Sequence, residues 1–133
     1  MTYMLDTNSC VEFLNHRDST VTRKLSEINR EDVALCSIVK AELYTGAHKS
    51  SRRDENLSVL RHFFSQFASF PFDDRAAEIY GRIRIQLAQG GKLIGPNDLL
   101  IAAIAIANDM VLVTHNTREF SRVVGLRIED WEV

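Results

Sequence analysis

One stretch near the end of the chain, Leu99–Asn108 (LLIAAIAIAN), limits the fold more than any other. It reads as a helix whose apolar residues point in every direction. A helix of that kind has to be covered on all sides, so it must lie buried against a sheet. Leu99–Ala107 is the longest apolar run in the chain and is far shorter than the ~20 residues a membrane span needs. The N-terminus shows no basic segment leading into a long apolar run, so no signal peptide is read. These features predict a cytoplasmic protein with no membrane partner.

The sheet that covers this helix has to come from short apolar runs elsewhere. Tyr3–Leu5, Val33–Ile38, Phe70–Phe72, Val111–Thr114 and Leu126–Ile128 read as strands, with Phe70-Pro71-Phe72 at an edge because proline cannot donate to a ladder. Helical spacing fills the intervals. Cys10–Leu14 is a short helix capped by Asn8 or Ser9, and Arg17–Asn29 is a second. A third starts at Val39 and carries Glu42. Leu57, Leu60, Phe64 and Phe67 line a helix over Ser51–Phe67. Ala76, Ile79, Tyr80, Ile83 and Leu87 line another, which opens at Asp73-Asp74 and stops at Gly90-Gly91. Strands that alternate with helices predict an α/β fold, with a mostly parallel sheet sandwiched between helices. With 133 residues, 45% of them apolar, the expectation is one domain over residues 1–133.

Charge excludes little: a net −2 announces no polyanionic partner or acidic membrane. Twelve of the 16 basic residues are arginine, a weak pointer to phosphate recognition. Cys10 and Cys36 lie far apart without metal-type spacing and read as small buried residues.

Chemistry is suggested by where the carboxylates fall. Asp6 follows the first strand. Glu42 lies in the first turns of the helix after the second. Asp98 opens the apolar helix, and Asn116 and Glu119 follow the fourth strand. In a parallel sheet these positions share one edge, where ligands of open α/β folds bind. Carboxylates packed together repel unless a cation neutralises them. Oxygen donors without a His or Cys pattern suit Mg²⁺ or Mn²⁺ rather than Zn²⁺. Such an ion, or a pair, can activate water at a phosphodiester. Each residue also has a plainer reading: Asp6 as a turn or cap, Asp98 as a cap, and Glu42 and Glu119 as solvated helix charges.

Five segments in this order, MLDTN (4–8), KAELYTGA (40–47), GPNDLLIAAIA (95–105), LVTHNTREFSRV (112–123) and GLRIEDW (125–131), resemble the PIN-domain ribonuclease toxins (VapC) of VapBC toxin–antitoxin systems from end to end. The resemblance implies a PIN-like five-stranded sheet. It also implies Mg²⁺-dependent endoribonuclease activity that stops translation; closely similar toxins cut initiator tRNA in the anticodon stem-loop. It assigns Asp6, Glu42 and Asp98 to metal binding and places Asn116 where the family carries a fourth acid. Glu119, one turn on, is then the residue able to supply the missing charge. Asn8 and Thr114 match supporting polar positions. Implied partners are an RNA substrate, a VapB-type antitoxin whose C-terminal segment wraps the toxin, a second toxin copy, and larger toxin–antitoxin assemblies. Surplus apolar surface on the helices at Leu57–Phe67 and Ala76–Leu87 is expected to serve such an interface.

Two other functions fit parts of the pattern. A phosphohydrolase with an Asp nucleophile after its first strand would resemble haloacid-dehalogenase-like enzymes, but those use Asp-x-Asp where this chain has Asp6-Thr7-Asn8, and Glu42 would have no role. A non-catalytic RNA- or protein-binding module would leave the acids incidental. Stacking aromatics are not evident near the acidic segments, which favours a metal-centred nuclease.

Overall fold

Residue Met4 lies in the middle of a strand whose neighbours on both sides come from distant parts of the chain. In the computed structural model, which describes residues 1–133, five strands form one sheet: β1 (Tyr3–Leu5), β2 (Val33–Cys36), β3 (Ala68–Phe70), β4 (Val111–Val113) and β5 (Arg127–Glu129). Their order is β3-β2-β1-β4-β5 and every pairing is parallel. β2 and β4 are buried at every position, as strands covered on both faces must be. Parallel neighbours require crossovers. Seven helices provide or flank these: α1 (Thr7–Asn15), α2 (Thr20–Glu27), α3 (Ser37–Lys49), α4 (Arg53–Phe64), α5 (Asp74–Gln89), α6 (Pro96–Ala107) and α7 (Thr117–Phe120).

The predicted α/β class and the five parallel strands are observed. α6 is the buried helix that the sequence demands: Ile101, Ala102, Ala103, Ile104 and Ala105 are fully inaccessible to solvent. It begins earlier than expected, with Gly95 as cap and Pro96 in the first turn, where a missing N–H costs nothing. Asp98 therefore lies inside the first turn.

Other boundaries differ for identifiable reasons. α1 starts at Thr7 rather than Cys10 because Asp6, not Asn8 or Ser9, is its cap; the Asp6 carboxylate accepts from Ser9 N at 2.8 Å. α2 is shorter than Arg17–Asn29 because Ser19 caps it through Thr22 N. β2 ends at Cys36, and Ile38 already belongs to α3. α4 spans Arg53–Phe64 within the expected 51–67. β3 is Ala68–Phe70, two residues earlier than Phe70–Phe72: Ala68, Ser69 and Phe70 register with Ala34, Leu35 and Cys36, and the strand ends before Pro71. β3 does lie at an edge. β5 is Arg127–Glu129, one residue later than expected.

The apolar stripes of α4 and α5 are largely consumed inside this chain. Leu57, Leu60, Phe63, Phe64, Ile83 and Leu87 all join the core. Val59, Ile85 and Leu93 are the large apolar side chains these regions leave exposed. Cys10 and Cys36 are free and fully buried, as expected. No helix is long and apolar enough to cross a membrane.

Candidate active site

The chain runs from β1 through β2 to β3 in one direction across the sheet, then returns to build β4 and β5 on the other side of β1. The strand order thus switches between β1 and β4. A crevice opens outside the carboxyl ends of strands at such a point. Asp6 leaves β1 on one side of the switch, and Thr114, His115 and Asn116 leave β4 on the other. Asp6 N donates to Val113 O and Ser9 Oγ donates to the same carbonyl, which ties the two strand ends together.

Asp6 is 5% exposed, the most buried carboxylate of the group. Burial pushes its carboxyl up from the usual range. The Thr114 hydroxyl and the Ser9 amide and hydroxyl pull it back, and Glu42 adds repulsion. Both readings of Asp6 hold at once: it caps α1 and it faces the acid cluster. Thr114 is fully buried, and its Oγ1 accepts from Asn116 N at 3.0 Å, which fixes the turn after β4.

Glu42 is half-buried in the second turn of α3, where its Oε1 accepts from Thr7 Oγ1 at 2.7 Å. That bond joins the first turn of α1 to α3 and aims Glu42 toward the Asp6 side of the crevice. Across the cluster, Asn116 Nδ2 donates to Glu119 Oε2 at 2.6 Å.

Asp98 completes the group from α6. No protein hydrogen bond supports its carboxylate. Burial first, and then the charges of Glu119, Glu42 and Asp6 in that order, together push its pKa up to about 6. One carboxylate therefore feels three others, which come from β1, α3 and α7. Four acids from four separate stretches face one space, and all their donors are oxygen, the donor set of a hard divalent cation.

Of the expected residues, Asp6, Glu42, Asp98 and Glu119 converge, with Asn116 attached through Glu119 and Thr114 beneath Asp6. Asn8 is exposed and makes no hydrogen bond to a carboxylate; it borders a shallow groove with Asn116 and His115. Thr7 orients Glu42 instead. The sequence held a signal for Thr7 only in its place beside Asp6; its partner is 35 residues away.

A second groove, of about 440 Å³, runs from Thr7 and Glu42 between α1, α3 and α4. Val11, Leu14, Leu43, Val59 and Leu60 make it mostly apolar, and Glu42 is the one acid that lines it.

The PIN-domain family model matches residues 3–126. The chain belongs to the PIN-domain family, and within it to the VapC ribonucleases. It is 42% identical over 133 residues to ribonuclease VapC2 of Rickettsia felis, with 99% of each chain covered. It is 39% identical over 129 residues to the tRNA(fMet)-specific endonuclease VapC of Shigella flexneri, with 97% of each covered. Among solved structures, VapBC2 from Rickettsia felis bound to a DNA fragment from their promoter superposes with a TM-score of 0.92 at 40% identity, over 98% of this chain and 99% of that one. Membership of a ribonuclease family disfavours both the Asp-nucleophile phosphohydrolase and the non-catalytic module.

Proposed function

We propose that this VapC-family chain is, over residues 1–133, a single-domain Mg²⁺-dependent endoribonuclease toxin that cleaves initiator tRNA in the anticodon stem-loop and so stops translation in the cytoplasm. The observation that carries the reading is Asp98, pushed up to about 6 by burial and three facing carboxylates. Such repulsion is a standing cost in the free protein, and a divalent cation relieves it. Mn²⁺ has the same preference for oxygen donors and should substitute.

Asp6, Glu42 and Asp98 are the residues that would hold the ion, and Glu119 adds charge on the β4 side. A bound divalent ion would supply an activated water and neutralise charge at the phosphodiester. The chain's own part is placement. Ser9 and Thr114 hold Asp6, Thr7 holds Glu42, and Asn116 holds Glu119. For Asp98 the buried helix α6 fixes the backbone, while its carboxylate has no protein hydrogen-bond partner.

The tRNA target rests on the name of the Shigella flexneri relative. The partner reading rests on the solved VapBC complexes. A VapB-type antitoxin would lay an apolar segment in the groove at Val11 and Val59, with a basic side chain toward Glu42 and the acids. Pairing of two toxin copies through exposed Ile85 and Leu93 would extend this to larger assemblies.

Incubation of the purified protein with total tRNA tests the activity. Cleavage that requires Mg²⁺ or Mn²⁺, stops with EDTA and is absent in Asp98→Asn supports it. Cleavage indifferent to EDTA refutes the metal mechanism, and cleavage of other RNAs in preference to initiator tRNA refutes the target.

A further inference from the structure

A second group of metal-type donors lies on the β4–β5 flank of the crevice. His115 follows β4, while Asp130 and Glu132 follow the neighbouring β5. His115 Nδ1 lies 3.0 Å from Asp130 Oδ2 and 3.9 Å from Glu132 Oε2. One donor atom from each of the three lies within 4.8 Å of the others. Two donors each ~2.0–2.1 Å from a shared ion stand about 3.4 Å apart at a tetrahedral angle. The two separations from His115 Nδ1, 3.0 and 3.9 Å, bracket that value.

The Asp130 carboxylate is held by the backbone, and Glu132 follows it two residues on. Trp131 between them is 1% exposed, packs edge-on to Tyr3 and donates its indole N–H to Glu129. The Glu132 amide donates to Asp130 Oδ1, which leaves Oδ2 for His115. The Asp130 and Glu132 side chains are 16% and 23% exposed, against 60% for His115. Glu12 adds further negative charge near Glu132, so one protonated imidazole does not balance the cluster.

We propose that His115, Asp130 and Glu132 form a second metal site that takes a borderline divalent ion of the zinc class. An imidazole nitrogen is what separates it from the acid cluster. Nitrogen donors favour Zn²⁺, Co²⁺ or Ni²⁺, whereas an all-oxygen set suits Mg²⁺. Three protein ligands leave one position open to water or to a phosphate oxygen.

Calorimetric titration of the untagged protein with ZnCl₂, in excess Mg²⁺ to occupy the acid cluster, tests the site. One Zn²⁺ should bind despite the Mg²⁺. His115→Gln should weaken it by more than the roughly 10–100-fold that losing an outer partner of a metal ligand costs. His16→Gln and Asp98→Asn should leave it unchanged. X-ray absorption at the zinc edge on the wild-type protein should show an imidazole nitrogen at about 2.0–2.1 Å. Failure of Zn²⁺ to bind, equal affinity in His115→Gln, displacement by Mg²⁺, or an all-oxygen shell would each overturn the proposal. RNA cleavage plays no part in this test, so its outcome is separable from that of the proposed nuclease.

Discussion

Asn116 donates its side-chain amide to the Glu119 carboxylate at 2.6 Å, across the first turn of α7. A neutral residue at this corner thus fixes the position of a charged one. Asn116→Asp should replace that hydrogen bond with a like-charge contact. The metal-free protein should lose about 1 kcal/mol near neutral pH, while Mn²⁺ binding should tighten because more repulsion is relieved. Paired thermal melts and calorimetry check both signs. Unchanged Mn²⁺ affinity would place Asn116 outside the ion's reach.

Asp6 serves two roles that two substitutions should separate. Asn is as good a helix cap as Asp, so Asp6→Asn should keep α1 intact and reduce tRNA cleavage to background. Asp6→Ala should be equally inactive but less stable, by about 0.5–2 kcal/mol for the lost cap. Urea denaturation of the two variants provides the comparison. Equal stability would mean that the bond to Ser9 contributes nothing.

The Asp98 carboxyl is raised to about 6 from an ordinary 3.8. Its protonated form is therefore favoured by folding, and that stabilisation is present below pH ~4 and lost as pH rises through about 6. Melts of the metal-free protein should show this part of the stability falling over that window. Added Mg²⁺ should raise the melting temperature more at pH 7 than at pH 5, because the ion competes with the proton. In Asp98→Asn both effects should shrink. A metal-induced shift independent of pH would argue that the ion sits elsewhere.

Thr7 Oγ1 holds Glu42 from 35 residues away. Thr7→Val keeps the shape and removes the donor. Cleavage should fall by about 10–100-fold, the usual cost of losing a partner that orients a metal ligand, without the complete loss expected for Glu42→Gln. Thr7→Ser should restore most of it. Full activity in Thr7→Val would reduce the bond to a packing detail.

Much of the molecule could be read directly from the order of its residues. Periodicity is a local property, so the β-type runs at Tyr3–Leu5 and Val111–Val113 and the all-apolar α6 announce themselves. Alternation of the two kinds of element dictates a parallel sheet, and a parallel sheet gathers strand ends at one edge. That geometry accounts for Asp6 and Glu42 at one edge; Asp98, which opens a helix that follows another helix, joins them in the reading through the family resemblance. It does not specify which polar neighbour supports which acid.

That assignment belongs to the tertiary structure. Whether Thr7 meets Glu42 and whether β3 pairs at Ala68 or Phe70 depend on register between segments 30 or more residues apart. Side chains one residue apart on a strand or helix point in different directions, so a single step of register exchanges one partner for another. Local spacing is silent on such steps. His115, Asp130 and Glu132 show the same limit: nothing in the sequence groups them until β4 and β5 lie side by side.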